Sequence, residues 1–244
     1  MTRRTRRRLG VVAAAAVVGV LSPVWGPLVL RNIPIFGVEE VRVVGARFVA
    51  DSTVEALAGL GPDASVWDDM DGAEDRVAGH PLIVEARIRR TGLHRLDVVV
   101  HEVQPVAFVA TPSLVPVNAD GRELAIDPTE DPVDLPILED AEVSEGRVEP
   151  ETARRALDVL DQVSALDSAF ARRISEVRPV SGSSVEFVLL PDSPLERVVL
   201  PFRDATTAFR RVGSAVSLAE ARGPVREADA SYENEVVIRM EEKR

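Results

Sequence analysis

The stretch Ile83-Val84-Glu85-Ala86-Arg87-Ile88-Arg89-Arg90, continued through Thr91-Gly92-Leu93 into Leu96-Asp97-Val98-Val99-Val100-His101-Glu102-Val103, alternates apolar and polar residues on both sides of a glycine turn. A period of two puts one set of side chains on each face of a strand, so the stretch predicts an antiparallel hairpin with one buried face. Upstream, Val38, Val41, Val43 and Val44 sketch a short β-branched strand that ends at Gly45. Between them lie two helical patterns. Asp51 or Ser52 stands where a cap would precede Val54, Leu57 and Leu60, and Asp68 to Ala78 opens with an acidic first turn suited to a helix dipole. The predicted order is therefore β-α-α-β-β.

Downstream the chain reads as further strands with two helices. Asp120-Gly121 supplies a tight turn between apolar runs. Pro150 to Leu166 carries Ala153, Leu157, Leu160, Val163 and Leu166 on one helical face, and Thr206 to Ala221 predicts a second amphipathic helix. Ile174 to Val177, Val185 to Leu190 and Arg197 to Leu200 read as strands between them.

At the N-terminus, Arg3, Arg4, Arg6, Arg7 and Arg8 precede an uncharged run from Leu9 to Leu30. As a helix that run would rise about 33 Å, the thickness of a bilayer core, and the arginines would keep their end in the cytoplasm. The same segment also fits a cleavable signal with an apolar core from Val11 to Leu21, but no small-x-small site follows Leu21. The expectation is a single-pass anchor in the inner membrane with everything after Arg31 outside. The chain carries a formal net charge of −11 and no cysteine. Such an acidic surface repels nucleic acid, and a chain without thiols has neither a disulfide framework nor a cysteine nucleophile.

Three segments carry a family resemblance: Phe36-x-Val38-x-x-Val41-x-Val43-x-Gly45, His80-Pro81-Leu82-Ile83-Val84-Glu85-Ala86-Arg87-Ile88-x-Arg90, and Leu96-x-Val98-x-Val100-x-Glu102-x-x-Pro105-Val106-Ala107. Together they resemble the POTRA domain next to the membrane in the FtsQ/DivIB family of bacterial cell-division proteins. Leu135-Pro136-Ile137-Leu138 and the terminal Asp229-Ala230-Ser231-Tyr232 are similar to later segments of that family, with departures at Ala230 and Ser231. The resemblance implies an α+β chain divided into a basic tail (1–8), a transmembrane helix (9–30), a POTRA domain (33–103), an FtsQ-type mixed β-sheet domain with flanking helices (104–240) and a charged tail (241–244). It also implies a divisome scaffold at the division septum that binds FtsB- and FtsL-type partners through its terminal region. Competing readings are a POTRA-bearing component of an export or outer-membrane assembly system, and a secreted hydrolase.

No catalytic constellation emerges from the residues. His80, His94 and His101 lack metal-ligand spacing, and Ser181-Gly182-Ser183-Ser184 lacks the nucleophile elbow and reads as a turn. Asp68, Asp69, Asp71 and Asp75 lack the glycine position of a calcium loop, and no Walker or dinucleotide motif is present. The expectation is no enzyme activity, no metal and no cofactor. A binding role rests on the end of the chain. Val236-Val237-Ile238 predicts a strand that finishes a sheet, whose outer edge would accept a partner by β-strand addition. Tyr232, Asn234, Val236, Val237 and Ile238 are the expected contact residues, with Tyr232 first because it matches the tyrosine of the resembled family.

Overall fold

A computed structural model describes residues 30–240, apart from Asn32, Pro62 and Ser181. Two compact units divide after Val103. In the first, a 3-10 turn at Pro34–Phe36 leads to β1 (Glu40–Val44), α1 (Asp51–Ala58), α2 (Asp71–Ala78), β2 (Ile83–Arg90) and β3 (Arg95–Glu102). The three strands form one sheet in the order β1-β3-β2. β3 lies parallel to β1, with Val43 opposite Val98, and antiparallel to β2, with Ala86 opposite Val100. Alternation explains the packing: Leu96, Val98 and Val100 are buried, while Arg95 and His101 are exposed. The core closes on them with Val54 and Ala58 of α1 and Ala73 and Val77 of α2.

Two polar side chains and one glycine hold this small core. The Glu102 carboxylate, 7% exposed, accepts hydrogen bonds from the backbone N–H groups of Arg47 (3.0 Å), Phe48 (3.0 Å) and Val49 (2.9 Å). Buried carboxylates need such partners, and here they fix the loop between β1 and α1. Gly45 enters that loop at φ +92°, and a Cβ there would stand 2.4 Å from the Val100 carbonyl oxygen. No other residue fits so close an approach. The Arg76 guanidinium, finally, donates to the Leu57 carbonyl (3.1 Å) and the Ala58 carbonyl at the end of α1, and to Gly72 (2.9 Å) in its own helix. It thus satisfies carbonyls that a helix end leaves without partners.

Two local expectations are corrected. Neither Asp51 nor Ser52 caps α1: Ala50 occupies the cap position without a side-chain hydrogen bond, and Asp51 is already in the first turn. The second helix starts at Asp71 rather than Asp68, because Asp68 turns back to accept from the Ser65 N–H at 2.7 Å.

The second unit contains β4 (Ala107–Thr111), β5 (Ser113–Val117), β6 (Ile137–Leu138), β7 (Glu142–Ser144), β8 (Arg147–Glu149), α3 (Glu151–Leu166), α4 (Ser168–Ala171), β9 (Ile174–Val180), β10 (Ser184–Leu189), β11 (Arg197–Pro201), α5 (Ala205–Glu220), β12 (Val225–Asp229) and β13 (Val237–Met240). Eight strands make one mixed sheet in the order β13-β12-β11-β10-β9-β6-β4-β5, and β7 pairs with β8 in a separate hairpin. The core joins α3 and α5 to the sheet. Ala156, Leu157, Leu160 and Val163 meet Val177, Val185, Phe187, Val198 and Leu200, with Ala208, Val212 and Val216 of α5 in the same cluster. The helical spacing of those residues is what an amphipathic helix requires to cover a sheet.

The fold is α+β, and the expectation that it includes a transmembrane helix is corrected. Among the described residues no helix is long and apolar enough to cross a membrane. The longest, α3 and α5, have 16 residues each, would rise only about 24 Å, and are apolar on one face alone. The segment expected to span, Leu9 to Leu30, falls almost wholly outside the described residues, as do the tails at 1–8 and 241–244.

Candidate partner-docking edge

A turn separates the strand expected at Val236-Val237-Ile238 from the end of β12. Asp229 ends β12 and accepts from the Ser231 N–H at 2.8 Å, an Asx turn, and Asn234 takes a left-handed φ of +61°. The chain reverses and returns as β13, antiparallel to β12, with Asp229 opposite Val237, Ala228 opposite Ile238 and Glu227 opposite Arg239. β13 is the last strand of the eight-stranded sheet, and no strand pairs with its outer side among the described residues.

The five expected contact residues therefore occupy different places. Tyr232 lies in the connecting turn, 57% exposed, so it does not pack in the core. Asn234 shapes the same turn. Val236 and Ile238 pack partly against the core, whereas Val237, between them, projects to the opposite face and is 52% exposed. Only Val237 and Ile238 belong to the strand itself.

Beside this edge, α5 and the turn enclose an open groove of about 530 Å³, lined by Thr207, Arg210, Arg211, Ser214, Leu218 and Val236 among others. Leu218 is 74% exposed. The Nε of Arg211 is buried without a hydrogen-bond partner, a donor left over on the groove wall. The sequence reading missed the groove residues. A signal existed: Val212 and Val216 mark the buried face of α5, and Leu218 falls off it, an apolar residue on the solvent side.

Two other edges are blunted. Ile88 on β2 has its N–H taken by the Glu74 carboxylate at 2.7 Å, and β5, at the opposite end of the large sheet, contains Pro116, which has no N–H to offer. β13 thus differs from both in that, among the described residues, no side chain takes an outer N–H of the strand and no proline removes one.

The residues considered for chemistry do not converge. The Nδ1 of His80 accepts from the Leu82 N–H at 3.2 Å, His94 lies 3.8 Å from Glu39, and His101 is exposed on β3. Ser184 is buried and donates to the Val180 carbonyl, closing the turn between β9 and β10, while Ser181 lies outside the described residues. Asp69 accepts from the Asp71 N–H at 3.1 Å at the start of α2. Among the described residues no group of histidine and carboxylate side chains is placed to hold a metal ion. Compared with known proteins, the chain matches no family model and no curated protein.

Proposed function

We propose that this chain is a non-catalytic scaffold of bacterial cell division, of the FtsQ/DivIB kind, which receives FtsB- or FtsL-type partners by strand addition on β13 and acts outside the cytoplasm at the division septum. The observation that carries this reading is the free outer side of β13, with Val237, Tyr232 and Leu218 exposed around it. A sheet edge of that kind provides main-chain hydrogen bonds for affinity and alternate side chains for specificity. The sequence resemblance supplies the identity of the partners.

The test is binding of an FtsB-type ectodomain to the full chain and to its Tyr232→Ala variant. An exposed aromatic in the contact should cost at least about 2 kcal/mol, roughly thirtyfold in affinity, with no change in melting temperature. Absence of binding by the unaltered chain, or diffuse rather than midcell fluorescence of the tagged protein in cells, would sink the reading.

A further inference from the structure

The outer face of the large sheet, opposite its helices, carries a row of ionised side chains whose sign alternates from strand to strand. Glu139, one residue past β6, lies 2.5 Å from Arg178 on β9. Arg178 also pairs with Glu176 and approaches Glu186 on β10 at 3.7 Å. Glu186 lies 3.0 Å from Arg197 on β11. Arg197 stands in register opposite Glu227 on β12, and Glu227 pairs with Arg239 on β13 at 2.6 Å. From β6 to β13 the order is minus, plus, minus, plus, minus, plus, and it stops at the free edge on an arginine whose side chain is 74% exposed.

Opposite charges facing each other across neighbouring strands stabilise a sheet, and like charges destabilise it. An arginine between two carboxylates is already present in this row, since Arg178 contacts acidic groups on both sides. Arg239 uses Nη1 toward Glu227, and a guanidinium carries five N–H donors in all. Val237, two residues away on the same face, presents an apolar neighbour.

Resting on the reading of β13 as a docking edge, we propose that the occupant is an acidic strand of a different protein, with a carboxylate opposite Arg239 and an apolar residue two positions away opposite Val237. A second copy fits less well: the acidic residue it could set against Arg239 with Val237 opposite Val237 is Glu235, which precedes β13 and follows the left-handed Asn234, so its own strand ends short of that position. The charge at this position selects the partner and sets register more than it adds affinity, because exposed pairs are individually weak.

The probes are two cyclic β-hairpin peptides, identical except that one free edge reads Val-x-Glu-x-Val and the other Val-x-Lys-x-Val. The symmetrical pattern serves either strand direction. Binding is measured to the full chain in mild detergent at low salt. The glutamate hairpin should bind about tenfold tighter than the lysine one, and molar salt should shrink the ratio severalfold. Arg239→Gln should abolish the preference and Arg239→Glu should invert it. A melting temperature for each variant identifies any loss of folding, and Arg239→Gln keeps the test valid should Arg239→Glu disturb β13 beside Glu227.

Binding of both hairpins with equal affinity, lost in Ile238→Pro, whose N–H faces outward because Val237 and Arg239 pair with β12, would overturn the charge assignment while leaving β13 a docking edge. Failure of both to bind would overturn the docking reading along with it. Self-association of the chain that disappears in Ile238→Pro would name a second copy as the occupant and refute the acidic partner.

Discussion

Glu102 marks the limit of what a sequence pattern conveys at a single residue. Its place in an alternating strand predicts only which face it occupies, and it falls with Leu96, Val98 and Val100 on the buried one. A carboxylate there becomes intelligible once three consecutive N–H groups, from Arg47 to Val49, are brought to it by a loop more than fifty residues earlier. Replacing it by alanine removes the acceptor of all three N–H groups, of which that of Val49 is buried. Glu102→Ala should lower stability by about 3 kcal/mol, measured by urea unfolding of the full chain. A loss below about 1 kcal/mol would show that water satisfies the loop instead. Gly45 was legible as a turn residue, but its reason, the Val100 carbonyl 2.4 Å from a would-be Cβ, belongs to tertiary structure.

Among the elements, those with strong periodicity were the easiest to read. α3 begins at Glu151 against an expected Pro150, and α5 at Ala205 against Thr206, because buried faces of Ala, Leu and Val repeat every three or four residues. The β7–β8 hairpin went unread: its turn places both Glu145 (φ +51°) and Gly146 (φ +73°) in the left-handed region, and glutamate is no turn signal. The strand expected at Val236 to Ile238 is β13, which runs from Val237 to Met240 after a turn in which Asn234 takes a positive φ. The candidate contact was thus only half read, the strand from its valines, while the groove's one signal, Leu218 off the buried face of α5, was passed over. If that groove takes part in docking, Leu218→Asp should weaken binding of the FtsB-type ectodomain at least tenfold. The melting temperature should not move, since the side chain touches the solvent face of its helix. Unaltered affinity would confine the contact to β13.

At the scale of the whole molecule, each unit has its own buried residues and its own sheet. A fragment covering residues 33–103 should therefore unfold in a single cooperative thermal transition when expressed alone. Gradual loss of signal, with no transition, would mean that the unit depends on the rest of the chain. Within that unit the Arg76 clamp has a kinetic consequence. Its guanidinium holds the last carbonyls of α1 while remaining anchored to the first turn of α2, so neither helix can fray at that junction without releasing the other. Amide protons of the two helices should then exchange with solvent deuterium at matched rates, as parts of one opening event rather than two.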